Sequence, residues 1–195
     1  MQNLIAYSVT ILVAFVILMI IITVNLRVQQ TAIATTQYQA SKISQTDLVE
    51  MMDRDFRNIG SSFPNYTLDP TTAIIAFDSS GVFSFWAQTE RGMPPATVQY
   101  DWAESGTVRL DTGYVPAYSV LRTVDGDPAG GSSGSVTNFG LRLLDSNGSP
   151  VAVLSDTRQI EVNLSIISSL GSSELVETND WRTTIRPAAL ARDTL

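Results

Sequence analysis

The most ordered pattern in the chain is a run without charge. Leu4–Val24 reads LIAYSVTILVAFVILMIIITV, 21 residues whose only polar groups are the hydroxyls of Tyr7, Ser8, Thr10 and Thr23. No charged side chain occurs in residues 1–26, and Arg27 is the first. At about 1.5 Å per residue a helix of this length spans roughly 30 Å, the thickness of a bilayer's hydrocarbon core. A helix buried inside a small soluble domain is shorter or amphipathic, so this segment calls for a membrane or an equally apolar surrounding. The first three residues, MQN, hold no Lys or Arg, and the run continues into VNLRVQQ, so it reads as a retained segment rather than a cleaved signal peptide. Arg27 and Lys42 are the nearest basic residues and assign no membrane orientation.

The second pattern is an absence of breakers. The first Gly is Gly60 and the first Pro is Pro64, which predicts one continuous helix from about Leu4 to Ile59, roughly 80 Å long. Its middle, Gln29–Gln45, is rich in Gln, Thr, Ala and Ser. Its end regains a stripe: Leu48, Met51, Met52, Phe56 and Ile59 follow helical spacing, with Asp47, Glu50, Asp53, Arg54 and Arg57 on the other side. The helix therefore divides into an apolar part, 1–26, and an amphipathic continuation, 27–60, whose stripe Leu48, Met52, Phe56 and Ile59 is expected to pack on a domain.

From Ser61 the period changes to short alternating apolar runs separated by Gly, Pro, Asn and Asp, the mark of an antiparallel β domain over 61–195. Strands are predicted at Ile74–Phe77, Val82–Trp86, Thr97–Trp102, Thr107–Leu110, Ala117–Val124, Val136–Leu144, Gln159–Ile167 and Trp181–Ile185. Tyr100, Trp102, Val162 and Leu164 are expected to face the helix stripe. Glu104-Ser105-Gly106 and Ser146-Asn147-Gly148 read as hairpin turns, and the Gly/Ser-rich Asp125–Ser135 as an exposed, mobile loop. The fold class is α+β: a long N-terminal helix packed by its second half on an antiparallel sheet.

Composition narrows the chemistry. The chain has no Cys and no His, which removes thiol catalysis, zinc-cysteine sites and the usual neutral-pH base, so an enzyme is not expected. Net charge is −7, and since Arg27–Gly60 holds four basic and four acidic residues, all of it lies in the β domain. Such a surface opposes nucleic-acid binding. Asp125-Gly126-Asp127 lacks the ligand spacing of a calcium loop and reads as a solvated turn; no metal, cofactor or small-molecule substrate is expected. Asp53 and Asp55 flank Arg54 and read as an exposed charged face rather than a catalytic pair. Trp86, Trp102 and Trp181 read as core rather than a sugar-stacking platform. Asn65-Tyr66-Thr67 and Asn163-Leu164-Ser165 match the N-glycosylation pattern, of which only the first looks like loop.

This layout resembles the type IV filament superfamily, closest to minor pilins and J-type pseudopilins. Three stretches carry the resemblance: Leu48–Gly60, similar to the helix end that precedes the family's globular domain; Val98-Gln99-Tyr100-Asp101 with Gly106–Leu110, similar to its hairpin; and Gln159–Ile167 with Trp181–Pro187, similar to its closing strands. The chain departs from the family in having no visible basic leader ending in Gly, and Ile5 where the family places Glu at the fifth mature position. The resemblance implies a structural subunit of an extracellular filament that polymerises through its helix. Leu4, Ile5, Ile11, Leu12, Phe15, Val16, Met19 and Ile20 would line the filament core. Its partners would be copies of itself, related minor subunits, and the inner membrane before assembly. The alternative is a membrane-anchored β domain acting as a binding module or minor pseudopilin.

Overall fold

The computed structural model describes residues 2–61, 72–89, 94–110, 113–169 and 176–191. Helix α1, Gln2–Arg57, runs unbroken for 56 residues, about 84 Å at 1.5 Å per residue. The threonines along it satisfy their hydroxyls on the helix's own backbone. Thr23, Thr31, Thr35, Thr36 and Thr46 each donate to the carbonyl four residues earlier, at 2.8–3.0 Å. Arg54 and Arg57 lie in the last turn, where their charge suits the helix dipole.

The helix ends two residues before Ile59, which instead forms a bridge with Ala87. Gly60 makes the exit possible. Its φ of +68° is left-handed, and an added Cβ would lie 3.1 Å from the Cβ of Ala73 and 3.2 Å from that of Ala189. The chain is then tied to the sheet by the Gly60 amide, which donates to Trp86 O at 2.8 Å.

Among the described residues seven strands form one antiparallel meander in sequence order. They are β1 Ile74–Asp78, β2 Val82–Ala87, β3 Ala96–Leu110, β4 Gly113–Val124, β5 Asp127–Leu144, β6 Gln159–Ser169 and β7 Val176–Ile185. Alternation decides the buried face: Phe83 and Phe85, Val98, Tyr100 and Trp102, Leu141 and Leu143, and Ile160, Val162, Leu164 and Ile166 all join one core. Leu48, Met52, Phe56 and Ile59 are buried in that same core. Phe56 sits edge-on to Phe83, Phe85 and Tyr100, with ring centroids 5.3–5.7 Å away. Trp102 is buried against Phe139 at 4.9 Å, while Trp86 and Trp181 are half-buried.

Two turn expectations are overturned. Glu104-Ser105-Gly106 is no hairpin: β3 continues through it, with a register shift between Glu104 and Gly106, so two predicted strands are one. An extra residue is absorbed as a bulge because the partner strand β4 is long enough to pair on both sides of it. Asp125–Ser135 is not an open loop either. Only Asp125-Gly126 turn; from Asp127 the segment is strand β5, first paired with β4 as far as Val136 and then with β6. Its glycines are there for closeness. A Cβ on Gly131 would lie 2.2 Å from Val120 O, and one on Gly130 would lie 3.0 Å from the Met51 sulfur. Asp125-Gly126 is an exposed turn, as expected, and Asp125 Oδ1 accepts the Thr97 amide across it at 2.8 Å. Ser146-Asn147-Gly148 does turn, with Asp145 Oδ1 accepting the amides of Asn147 and Ser149. Asn65-Tyr66-Thr67 lies outside the described residues, and Asn163 is half-buried on β6.

Phe56 fills the junction between helix and sheet, so Phe56→Ala should destabilise the protein by about 3 to 5 kcal/mol. The check is the denaturation midpoint of the full chain in detergent; an unchanged midpoint contradicts this packing.

Candidate functional site: an uncovered apolar helix on a buried polar anchor

The sheet grips only the last turns of α1. Between Tyr7 and Thr36 the helix is long and apolar enough to cross a membrane, its most apolar 18 residues having a mean hydropathy of 2.9 and none of them being buried by the rest of the chain. Ile11, Leu12, Phe15, Val16, Met19 and Ile20 are all exposed. Leu4 and Ile5 continue the same helix, beyond the residues whose side chains are described. The surface is apolar all round rather than striped, which suits an environment that surrounds the helix. One shallow strip along it, formed by Phe15, Val16, Met19, Ile20, Thr23 and Val24, ends at Arg27.

Beside the packing of its last turns, the helix is tied to the sheet by a buried polar cluster. Asp55 was expected on an exposed charged face, yet it is only 3 % exposed. Its Oδ2 accepts hydrogen bonds from Tyr100 Oη at 2.8 Å and Arg122 Nε at 2.5 Å, and its Oδ1 accepts from Arg122 Nη2 at 3.3 Å. Arg122 is itself buried and spends its remaining Nη1 on Ala129 O at 3.3 Å. Helix, β3, β4 and β5 thus meet in one fork-shaped ion pair. Asp53, by contrast, does lie on the open face, paired with Arg57 at 2.7 Å.

The signal for Asp55 was in the spacing. It follows Leu48 by seven residues, which at 100° per residue returns it to within about 20° of the same face. Arg122 likewise interrupts the alternating series Val120, Arg122, Val124 on β4.

Burial and the adjacent Asp55 carboxylate push the Tyr100 phenol far above its ordinary value. Burial works against the Arg122 charge, but hydrogen bonding and attraction to Asp55 carry its pKa above the ordinary value. The cluster is closed to solvent, so it is an anchor rather than a reaction centre. Elsewhere, Arg182 donates through both Nε and Nη2 to Glu161 Oε1 on the outer sheet face. Among the described residues no group of three or more acidic side chains is placed to hold a metal ion. Comparison with protein-family models, with curated proteins and with solved structures gives no match for this chain.

Two outcomes follow from the anchor. Removing one partner of a buried pair leaves the other uncompensated, so Asp55→Leu and Arg122→Met should each cost about 3 to 5 kcal/mol, while the two combined should cost well under their sum. Denaturation of the single and double variants supplies the cycle, and additive losses would contradict the pairing. The second concerns pH. Because the folded Tyr100 holds its proton where the unfolded tyrosine loses it near pH 10, stability from this group is complete below about pH 10 and falls above it by about 1.4 kcal/mol per pH unit. Tyr100→Phe should flatten that decline in denaturation curves taken from about pH 9 to about pH 11.

Proposed function

We propose that the protein is the structural subunit of an extracellular pilus-like filament, a member of the type IV filament superfamily that polymerises through α1. The observation that carries the reading is the uncovered helix, stiffly continuous with a folded domain clamped at its far end. More than a dozen large apolar side chains between Val9 and Leu26 are exposed, and covering each contributes about 1.5 to 3 kcal/mol before ordering costs. Without lipid, copies of the same helix are the cover at hand. Contacts that repeat head to tail without closing give an open helical polymer, with the acidic domains on its outside. Before assembly the same segment would hold each subunit in the membrane, and related minor subunits would join through the same surface. The subunit on this reading carries out no catalysis and binds no cofactor, nucleic acid or small-molecule substrate.

One observation favours a second reading. The apolar window is of bilayer length by itself, so a monomeric, membrane-anchored β domain acting as a binding module would satisfy the helix equally well.

Negative-stain electron microscopy of the expressed full chain separates them: filaments support the first, detergent-dispersed monomers the second. Val16→Asp places a charge in the dry centre of a bundle, at a cost of several kcal/mol per subunit, and should abolish filaments while the β domain stays folded. Asp125→Asn with Asp127→Asn, at the domain's edge, should leave assembly intact. Subunit level and membrane location are measured alongside, and normal filaments from a stable Val16→Asp subunit would overturn the reading.

A further inference from the structure

Past Leu26 the helix is no longer apolar all round, and the apolar surface that remains lies on one side. Between Arg27 and Thr46 the large aliphatic side chains are Val28, Ile33 and Ile43, which are 60, 59 and 62 % exposed. At about 100° per residue, Val28 and Ile33 fall within about 80° of Ile43, one on each side of it, with Ala32 and Thr36 nearly in line with it. Ile43 lies roughly 140° to 180° around the helix from Leu48, Met52 and Phe56, which are held in the core of the sheet. The stripe therefore points away from its own domain. The two charges of this stretch avoid it. Arg27 is about 160° and Lys42 about 100° from Ile43. The Lys42 amine rests over the Tyr38 ring, 5.8 Å from its centre.

A bilayer does not reach this stripe. With the uncharged residues 1–26 taking the hydrocarbon, Ile43 stands about 25 Å beyond Leu26 along the helix. Its cover must follow α1 out of the apolar region, because Leu26 lies seven residues before Ile33 and joins the stripe to the apolar span without a gap. A second α1 has that length and that continuity. Copies anchored in one membrane share one orientation, so they meet in parallel. In register, identical chains bring like charges together wherever a charge sits on the contact, and here both charges lie off it. Ala32 and Thr36 along the middle let two backbones come close, and the β domains, on the far side of each helix, leave the contact open.

We propose that two copies of the chain pair in parallel and in register through Val28, Ile33 and Ile43, between the membrane and their β domains. The inference rests on the filament reading for its partner, and adds the face of α1 on which copies meet outside lipid.

The chain has no cysteine, so Thr36→Cys puts a single thiol in the middle of the stripe and leaves Val28, Ile33 and Ile43 in place; Thr31→Cys, about 140° away, is the control. The two are matched: both threonines are exposed, and each gives up a hydroxyl bond of 2.9 Å to the helix backbone. The full chain is oxidised with copper phenanthroline both in isolated membranes and in polymer. In a parallel pair the thiols at position 36 face each other within disulfide reach. The expected result is a disulfide dimer from position 36 and not 31, its yield cut about tenfold by Ile33→Gln combined with Ile43→Gln. Both isoleucines are exposed in the single chain, so the double substitution should leave Tm unchanged, which separates loss of pairing from loss of folding. Polymer without a position-36 dimer, equal dimer from 31 and 36, or a dimer indifferent to the double substitution overturns the pair while leaving the polymer reading intact. A position-36 dimer in membranes with no polymer keeps the pair and removes the polymer reading; neither dimer nor polymer overturns both.

Discussion

A helix of 56 residues cannot be covered by a β domain of this size, and the rest of the structure follows from that mismatch. The sheet reaches the helix only from about Gln45 onward, where Leu48, Met52 and Phe56 enter the core. Everything before that is left to its surroundings. The first part of that uncovered stretch, up to Leu26, carries no charge, so its surroundings must be apolar, and they must come from outside the folded chain.

Clamping a long rod by its end demands a contact that resists rotation, and apolar packing alone is poor at fixing one rotation. The ion pair between Asp55 and Arg122, with Tyr100 sharing the same carboxylate, supplies direction. A turn of the helix by one residue would carry Asp55 about 100° away and bury its partners unpaired. Gly130 and Gly131 belong to the same junction, since they let β5 pass close beneath Met51 and across Val120 while Ala129 O receives Arg122.

The parts of the fold legible in the sequence are those set by local periodicity. A stretch free of Gly and Pro as far as Ile59 reads as one helix, and the alternation of Val98, Tyr100 and Trp102, or of Ile160, Val162 and Leu164, identifies the buried sheet face. The apolar surface from Ile11 to Ile20 is equally plain, because its meaning depends only on composition. What escaped was set by tertiary contact. Asp125–Ser135 has the composition of a linker, yet its glycines answer to Met51 and to Val120 O, atoms that no local window contains. Ser105 has the neighbours of a turn and sits in a bulge because β4 runs on opposite it. Asp55 was visible on the apolar face by spacing, but its burial made sense only once Arg122, far along the chain, was beside it.

The central claim is that copies of α1 cover one another. Ile20→Cys, the single thiol in a chain without cysteine, carries a nitroxide spin label on the full-length protein, and its spectrum is recorded in lipid-free material after detergent removal. Packed helices lie roughly 8 to 10 Å apart, so the account predicts strong dipolar broadening between labels on neighbouring copies, lost on dilution with unlabelled subunit. A sharp spectrum that dilution does not change, from well-folded, lipid-free protein, would contradict it.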